Sequence, residues 1–544
     1  MSLKLGTTSI PGIRVVSEGS SSSTSDTGVM FIDYDGTVIE QWAPSEVAGK
    51  SALPSNPTHA GLTAQGWNWT LANIKTQMAL SNKQMIVVGQ QYVTTTGASE
   101  FDIEITSSDT LSFTLYFCVN GTAVIDWGDN SSTNTVTGTS LTTRKGTAHT
   151  YAAIGNYTIK ISVSSGGMSF YSGTSGNNVI SIGTSYPVGV LSIIKAVRIG
   201  SNVTSIGPYA FQYLVKSEYI TLPKTLTDFG NYAFLNCRTI KTITIPETTT
   251  TIPERCFQYC YEMSNISLPY TIESIGDYAF YSCLSLTDIT FPNSLTSINR
   301  YSFNQCRGIK KIYIPSSVTT FGDYVFMGCS KLKTAIISGS NISLGSSFFC
   351  NCYSLEEVSL PNSMVAIGAS CFSGCAVLKT PFSISYDVGN SAFSSCFLLP
   401  SVSFSGSNLT LGTSIFTNDY TLTTVNLTGL TAIPDSMFSG CDGLTSVTIP
   451  NTVTSIGVSA FSTCYGLTSL TVPSSVTSIG SKAFSNAYSI KEYHFQSTTP
   501  PTLGGSDVFT GISSNCKIYV PSASLSAYQS ATIWANQASK MVGE

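Results

Sequence analysis

A phenylalanine that recurs every 23 residues is the feature that most constrains the fold of this chain. The spacing is constant over eight members, Phe211, Phe234, Phe257, Phe280, Phe303, Phe326, Phe349 and Phe372. Small deletions shift the later members, Phe393, Phe416, Phe438, Phe461 and Phe484, and Phe509 is a degenerate last one. A fixed period in the twenties is typical of stacked supersecondary units that cannot bury their apolar faces alone. A repeat solenoid is therefore predicted to dominate the 544 residues.

Residues 430–450 show how one coil is built. Ser446–Ile449 alternates polar and apolar residues, as a short strand with one buried face does, and Pro450 ends the strand because it has no N–H to donate. Upstream, apolar residues recur at steps of three and four, which predicts a short helical turn. These residues are Met437, Phe438, Cys441 and Leu444. Stacked strands about 4.8 Å apart predict one parallel sheet, so that about 13 coils make a rod of roughly 60 Å.

Most of the cysteines belong to the same repeat. Ten of the fifteen lie three residues after a repeat phenylalanine, namely Cys237, Cys260, Cys283, Cys306, Cys329, Cys352, Cys375, Cys396, Cys441 and Cys464. Asp419 and Ala487 take this place in two other repeats. We expect a column of buried free thiols that act as small hydrophobes. Disulfides are disfavoured because side chains in a ladder point in parallel, and zinc is disfavoured because the closely spaced cysteine pairs have no histidine nearby.

The repeat motif resembles a known class of leucine-rich repeats. Residues 476–480 read Val-Thr-Ser-Ile-Gly, and residues 295–299 read Leu-Thr-Ser-Ile-Asn. In the motif such a segment is followed by Ala-Phe and then Cys, and Ala483-Phe484 follows the first of these segments while Cys306 follows the second. This pattern is similar to the BspA-like class, which is found in bacterial surface adhesins, some protist proteins and bacteriophage proteins. The resemblance covers over half of the chain and implies a binding scaffold. Cys516–Pro521, followed by Tyr528 and Trp534, resembles the ending of such arrays and predicts a terminal cap.

Residues 100–166 follow a different pattern, with longer alternating strands typical of an immunoglobulin-like β-sandwich. The segments Asp126–Asp129, His149–Tyr151 and Gly155–Thr158 resemble the polycystic-kidney-disease (PKD) domain, a module common in extracellular adhesive proteins. The resemblance implies that Trp127 packs in the core. It also makes a calcium ion conceivable near Asp126, Asp129 and Asn130, and no other cofactor is expected.

The predicted organisation is mainly β. A serine-rich arm at 1–30 is followed by a small anchoring domain at 31–99 that contains a helix through Met78. The PKD-like sandwich at 100–166 and a linker or N-terminal cap at 167–189 come next. The leucine-rich-repeat solenoid at 190–500 and a C-terminal cap at 501–544 complete the chain.

Motifs for catalysis are present only in fragments. Residues 33–37, Asp-Tyr-Asp-Gly-Thr, resemble the nucleophile loop of haloacid-dehalogenase phosphatases, which implies Asp33 as nucleophile and Asp35 as acid or base. The doubly wound domain that this loop needs is missing, so a turn between two short strands is predicted. Residues 48–51 resemble the end of a phosphate-binding loop, but Pro44 stands where its first glycine is required. The chain is therefore predicted to be non-enzymatic.

Two outer surfaces are candidates for binding. Two residues before the repeat phenylalanine stands a column of tyrosines, Tyr209, Tyr232, Tyr278, Tyr301 and Tyr324, which Arg255 interrupts and serines continue. Such a column could stack on sugar rings or anchor a protein partner, and the alternative is coil-to-coil stacking without a ligand. The second surface is the outer face of the strands, with Thr242, Thr244, Asp288, Thr290, Lys311, Tyr313, Glu357, Ser359, Ser446 and Thr448.

Charge and hydropathy limit the classes of partner that the chain is expected to bind. With 10% charged residues and a net charge of −4, the chain has no basic field for duplex nucleic acid. The sequence has no run of 18 apolar residues, so no membrane-spanning helix is predicted. Its start has no recognisable secretory signal.

We expect a virion-associated phage fibre or decoration protein. It would bind a host-surface glycan or protein, contact other virion proteins through its N-terminal segment, and form a homo-oligomer. A bacterial cell-surface adhesin is the alternative, and a hydrolase with accessory repeats is the third possibility.

Overall fold

The computed structural model describes residues 27–80, 83–171, 179–181, 191–406 and 408–544. Regular structure in these residues is mainly β, with a dominant solenoid and short helices, which confirms the predicted fold class. Most of the predicted arm at 1–30 and of the predicted linker at 167–189 lies outside the described residues. Within the described ranges, no helix is both long and apolar enough to span a membrane.

Residues 27–95 form a small sheet with two helices, which we call the N-terminal module. Its strands are β1 (Gly28–Ile32), β2 (Val38–Trp42), β3 (Leu62–Trp67) and β4 (Met85–Thr94), and its helices are α1 (Pro44–Val47) and α2 (Leu71–Leu80). The sheet order is β2-β1-β4-β3, with β1 and β4 parallel and the other pairs antiparallel. Phe31, Trp42 and Trp67 pack edge to face in a core of the module's own. The predicted helix through Met78 is confirmed as α2.

Residues 99–170, the middle module, form long strands that pair with the first strands of the solenoid. Its strands are β5 (Ser99–Ile105), β6 (Ser112–Asp126), β7 (Asn134–Thr150) and β8 (Gly155–Phe170), with β9 (Ile180–Ser181) beside β6 and a 3-10 helix at Ser108–Thr110. Another 3-10 helix, Leu191–Ile193, leads into β10 (Ile194–Arg198), which pairs with β5, and β11 (Val203–Ile206) pairs with β8. One continuous hydrophobic core joins the middle module to the coils. The module therefore caps the first coil through shared sheets.

Most coils contribute two short strands, one to a front sheet and one to a side sheet, and a few coils have only an isolated bridge at one of these places. After β10, the front strands are β12 (Ile220–Thr221), β14 (Thr242–Thr244), β16 (Asn265–Ser267), β19 (Lys311–Ile314), β21 (Thr334–Ile337), β23 (Glu357–Ser359), β25 (Phe382–Ile384), β27 (Ser401–Phe404), β28 (Thr424–Asn426), β31 (Ser469–Val472), β33 (Glu492–Phe495), β35 (Lys517–Val520) and β36 (Met541–Gly543). After β11, the side strands are β13 (Asp228–Phe229), β15 (Thr251–Ile252), β17 (Ser274–Ile275), β18 (Ser297–Ile298), β20 (Thr320–Phe321), β22 (Ile342–Leu344), β24 (Met364–Ile367), β26 (Asp387–Val388), β29 (Ala432–Ile433), β30 (Ser455–Ile456), β32 (Ser478–Ile479) and β34 (Thr502–Leu503). The strands of each stack pair in parallel. The solenoid has about 15 turns, because stacking continues through residues 517–543.

The segment that carries the repeat phenylalanine and cysteine is a run of turns, so the predicted helical turn is wrong. In the coil at 253–263, Cys256 N donates to the Pro253 carbonyl at 3.3 Å and closes a four-residue turn. Phe257 N donates instead to the Ala279 carbonyl of the next coil at 2.8 Å. Two residues per coil, here Arg255 and Tyr259, have left-handed φ of 54° and 64°. These left-handed residues break the helix and aim alternate N–H groups at the neighbouring coil.

The core is a set of ladders, as the repeat predicts. Phe257 and Phe280 stack at 5.5 Å with an interplanar angle of 8°, and the same contact recurs along the stack. All fifteen cysteines are free thiols and fourteen are buried, which confirms the predicted column. In that column Cys260 Sγ donates to the Phe234 carbonyl at 3.4 Å, and Cys283 Sγ bonds Phe257 in the same way at 3.2 Å. The thiols therefore satisfy carbonyl groups while they fill the core.

The C-terminal residues cover the last coils. Two short 3-10 helices (Ser522–Ser524 and Trp534–Lys540) flank α3 (Leu525–Ser530). Trp534 is 1% exposed, and its Nε1 donates to the Pro501 carbonyl at 2.8 Å. Its ring lies 4.9 Å from that of Phe495 in an edge-to-face contact. This arrangement gives the end of the solenoid a packed cover.

Candidate binding site

The N-terminal module lies on the front sheet of the solenoid. Asn68 Nδ2 donates to the carbonyl oxygens of Ile245 and Ser267 at 3.0 and 3.1 Å. Trp69 Nε1 donates to the Leu268 carbonyl at 2.8 Å. These partners are 177 to 199 residues apart in the chain. The contact therefore fixes the module to particular coils.

This docking overturns one expectation about the front sheet. The sequence predicts that Thr242, Thr244 and Thr290 face solvent, but their exposed fractions are 1%, 8% and 0%. Strand β4 covers them, and Thr290 Oγ1 donates to the Met85 carbonyl at 2.8 Å. The part of the front sheet available for recognition therefore begins beyond the module.

The edge of the module and the uncovered front sheet enclose a cleft with two recesses. The lysine recess, about 720 Å³, is lined by Met30, Val38, Gln41, Met85, Thr287, Asp288, Lys310, Lys311, Lys331, Lys333, Thr334 and Ser354. The tyrosine recess, about 1210 Å³, is lined by Pro44, Ser45, Val47, Ala48, Lys75, Met78, Ala79, Leu80, Lys83, Tyr313, Ile336, Ile337, Ser338, Ser359, Leu360 and Pro361. Both are of the size of small-ligand sites or larger.

The cleft is chemically divided along strand β19. Lys311 and Tyr313 are half-buried residues of that strand two positions apart, so they point to the same outer face. Lys311 lines the lysine recess and Tyr313 lines the tyrosine recess. Tyr313 is oriented by Ser338, whose hydroxyl donates to the phenol oxygen at 3.3 Å. A cationic end and an aromatic, apolar end thus lie side by side.

The lysine recess concentrates positive charge in a chain of net charge −4. Lys310, Lys331 and Lys333 are exposed, and Lys311 is half-buried. Among the ion pairs of the described residues, each defined by an N–O distance of 4.0 Å or less, none involves these four lysines. Asp288, the carboxylate in the recess, accepts a hydrogen bond from Thr287 Oγ1 at 2.9 Å. The recess therefore holds four lysines against one carboxylate, and none of these lysines is in an ion pair of the described residues.

The predicted tyrosine column is a continuous stack. The rings of Tyr209 and Tyr232 lie 4.6 Å apart, and those of Tyr278 and Tyr301 also lie 4.6 Å apart. Arg255 bridges the gap, with its guanidinium 5.4 Å from the Tyr232 ring and 4.7 Å from the Tyr278 ring.

At the far end of the column, Tyr324 stacks on Tyr301 at 4.5 Å. All five tyrosines are half-buried, and burial raises the pKa of Tyr232 and Tyr301 above its usual range. The inner ring faces are used between coils, so ring edges and hydroxyls are what a ligand would meet. Binding by this column stays a prediction.

The predicted calcium residues lie at the turn between β6 and β7. Asp126 Oδ1 accepts from Gly128 N at 2.9 Å, and Asp129 Oδ2 lies 2.8 Å from His149 Nε2. Asn130 has a left-handed φ of 63°. No group of three or more His, Cys, Asp or Glu residues in the described ranges is placed to hold a metal ion. A calcium ion here therefore stays a prediction, with one carboxylate engaged by histidine.

The phosphatase-like motif is a structural turn. Residues 33–37 connect β1 and β2, which are antiparallel, as predicted. Asp33 is 3% exposed, and its Oδ1 accepts from Tyr34 N and from the Tyr92 hydroxyl, both at 2.8 Å. His59 Nε2 lies 2.7 Å from the other carboxylate oxygen. Because each oxygen of Asp33 has a protein partner, the geometry favours support of the turn over attack on a substrate.

Two features of the structure were not predicted from the sequence. They are the Asp33–His59 pair and the cleft. His59 is 26 residues from Asp33, and no motif spacing connects the two. Tyr34, beside this pair, packs edge to face on Tyr219 of the solenoid at 4.9 Å, so the cluster also supports docking. The clustering of Lys310, Lys311, Lys331 and Lys333 within 24 residues was the one signal in the sequence that could have indicated the lysine recess.

Comparison with known proteins agrees with this architecture. A family model described as "BspA type Leucine rich repeat region (6 copies)" matches residues 190–307, 250–379 and 386–514. A leucine-rich repeat protein of known structure from Bacteroides ovatus is 29% identical, with a TM-score of 0.57 over 64% of this chain and 94% of its own. A leucine rich cell surface protein from Faecalibacterium prausnitzii is 26% identical, with a TM-score of 0.34 over 55% of this chain and 84% of its own. No curated protein matches significantly.

Proposed function

The chain belongs to the BspA-type leucine-rich repeat family, because the matched residues make up more than half of its length, and from that premise we propose that it is a non-enzymatic adhesin. It acts at a bacterial cell surface and binds a glycan or protein of another surface through its solenoid. Family resemblance to bacterial surface adhesins supports the location. The cleft between the N-terminal module and the front sheet supports the binding role.

The cleft is the observation that carries this proposal. It is concave, it combines side chains from two parts of the chain, and it places lysines beside Tyr313 and apolar groups. Convergent polar groups in a mostly preformed recess are typical of binding sites. Against an enzyme stands Asp33, whose carboxylate oxygens are engaged by Tyr34, Tyr92 and His59. Recognition without turnover is what this arrangement supports best.

The phage-virion role is the second candidate, and no feature of the comparisons favours it over the surface adhesin. Location distinguishes the two. Mass spectrometry of the encoding organism's culture should find the chain in cell envelopes and among peptides that trypsin releases from intact cells. Recovery in purified phage particles and absence from envelopes would replace the adhesin with a virion protein.

Binding is tested with the labelled full chain on whole cells and on a glycan array. Saturable binding is expected, together with no turnover of p-nitrophenyl phosphate. Turnover that disappears in Asp33→Asn would contradict the non-enzymatic assignment.

The tyrosine column is proposed as an additional contact surface and has its own test. In Tyr278→Ser/Tyr301→Ser, serine takes a left-handed position that Ser347 and Ser370 already occupy with φ of 53° and 54°. The backbone conformation is therefore compatible with serine in this solenoid. We expect weaker partner binding with a melting temperature changed by only a few degrees. Unchanged binding, or loss of the fold, would remove the column from the proposed surface.

A further inference from the structure

We propose that the lysine recess binds an acidic polysaccharide through its carboxylate or sulfate groups. The proposal rests on the adhesin function and specifies its ligand class. Four lysines line the recess, Lys310, Lys311, Lys331 and Lys333, and none is in an ion pair of the described residues. With Asp288 as the one carboxylate in its lining, the recess keeps a net positive charge, which attracts an anion.

Lysine recurs at one aligned position of the solenoid coils. Residues just before the front strand align from coil to coil, and Lys333 N donates to the Lys310 carbonyl at 2.8 Å. At two other positions of this column, lysine pairs with glutamate of the preceding coil. Lys241 bonds Glu218 at 2.7 Å, and Lys379 bonds Glu356 at 3.2 Å.

At the recess the step is lysine on lysine, as it is again at Lys517 on Lys491, and the pair at the recess lines a concave surface. The coil before Lys333 presents Lys310 at this position, and the coil before Lys310 presents Thr287. The neighbouring carboxylate, Glu356, is engaged by Lys379 on its other side at 3.2 Å. Two like charges one coil apart, about 4.8 Å along the stack, repel each other. An external anion that bridges them removes this repulsion.

The surroundings of the lysines fit a sugar chain. Met30, Val38 and Met85 form an apolar wall on the module side. Lys311 and Tyr313 share one outer face, so a chain that puts an acidic group on the lysine can place the apolar face of a neighbouring ring on the phenol. A nucleic acid fits less well, because the patch is short and the chain as a whole is negative.

The test measures affinity of the full chain in 50 mM and 300 mM NaCl. The probes are polygalacturonate, heparin, neutral dextran, polyglutamate and a single-stranded DNA oligomer. We expect binding to one or both acidic polysaccharides, weaker in high salt because ions screen exposed charges, and no binding to dextran. Preference for heparin or for polygalacturonate identifies sulfate or carboxylate as the recognised group.

A matched pair of variants locates the site. Lys310→Gln/Lys333→Gln should weaken binding about tenfold or more at low salt, because both substitutions remove charge from the recess. Lys241→Gln/Lys491→Gln removes the same charge from the same column outside the recess and should bind nearly as the wild type. These lysines are surface side chains, so unchanged melting curves are expected in both variants.

Several outcomes overturn the inference. They are equal affinity of the two double variants, no wild-type binding to either acidic polysaccharide, and binding to polyglutamate or DNA as tight as to the polysaccharides. If the recess variant still binds whole cells as the wild type does, the adhesin proposal stands and the lysine recess is not its site. If the wild type binds no cells and no glycans, the adhesin proposal itself fails.

Discussion

Asp419 stands where neighbouring coils have cysteine, and we expect Asp419→Cys to stabilise the solenoid by an amount that grows with pH. Its side chain is 0% exposed. Oδ1 accepts from Cys396 N at 2.7 Å, but Oδ2 has no hydrogen-bond partner. A buried carboxyl with one oxygen unsatisfied is costly, and the cost is larger if the group is charged.

The pH dependence follows from burial. Burial raises the pKa of Asp419 well above its usual range, so the carboxyl keeps its proton in the fold. The unfolded chain releases that proton above pH of about 3.9. Since the folded state then binds the additional proton, stability falls as pH rises, by about 1.4 kcal/mol per unit until the folded pKa is reached. Between pH 4.5 and 6.5 the advantage of cysteine should grow by up to about 2.7 kcal/mol.

The introduced thiol should fit the column. Cys396 and Cys441, in the coils on either side, donate Sγ–H to the carbonyls of Phe372 and Phe416 at 3.2 and 3.1 Å. The corresponding acceptor for a cysteine at 419 is the Phe393 carbonyl. Burial holds the pKa of these thiols well above their usual range, so the new thiol should not titrate in this interval.

Hydrogen exchange of the amides around residue 419 is the suitable assay, because coils of a solenoid open locally. Exchange is measured at pH 4.5 and 6.5 for the wild type, Asp419→Cys and Asp419→Asn, after correction for intrinsic rates. Asparagine keeps an acceptor for Cys396 N but does not titrate, so its opening free energy should not show the wild-type fall. A constant difference between wild type and Asp419→Cys at both pH values would refute the argument.

Three further predictions concern the cysteine column of the core, the contact between the N-terminal module and the solenoid, and the contact between the middle module and the first coil. Burial raises the pKa of the column thiols, so fewer than about two of the fifteen cysteines should react with a thiol reagent at pH 8, and half-buried Cys350 should be the first to react. All fifteen cysteines should react in guanidinium. Rapid labelling of many cysteines in the native protein would contradict the buried column. Gly89→Ala puts a Cβ 2.9 Å from the Ser267 Cβ and should weaken docking of the N-terminal module on the solenoid by about 1–3 kcal/mol, which is measured as faster proteolysis of the module. Gly49→Ala is the control, because the nearest neighbour of its Cβ lies at 3.6 Å, and it should leave the proteolysis rate unchanged. Burial acts to raise the pKa of Asp102, but Arg198 outweighs this effect and holds the pKa below its usual range, so Arg198→Met should lower the free energy of unfolding in urea at pH 7 by about 1–3 kcal/mol. The stabilisation by the ion pair is lost as pH falls. A difference between wild type and Arg198→Met that does not shrink below pH 4 would contradict a stabilising role of this ion pair.

The repeat could be predicted because its signal is local and recurs. Each coil places phenylalanine, cysteine and two strand residues at fixed positions, and burial of the same positions in successive coils follows directly. The turn at 33–37 was also predictable, because the surrounding segments are too short for a larger domain.

The helical turn was predicted wrongly because residues such as Arg255 and Tyr259 have left-handed φ without being glycine. Spacing of apolar residues by three and four is compatible with both a helix and this series of turns. Hydrogen bonds to the next coil, which the sequence of one coil does not show, select the turns.

By itself, the sequence determined that the chain stacks coils, what fills their core and which surfaces vary. Tertiary structure alone decided that the N-terminal module covers Thr242, Thr244 and Thr290 and that its edge forms a cleft with the coils beyond. The physical reason is distance along the chain. Core positions repeat every 23 residues and add the same burial each time, whereas the docking depends on single contacts such as Asn68 with Ser267, 199 residues apart, which no periodic pattern encodes.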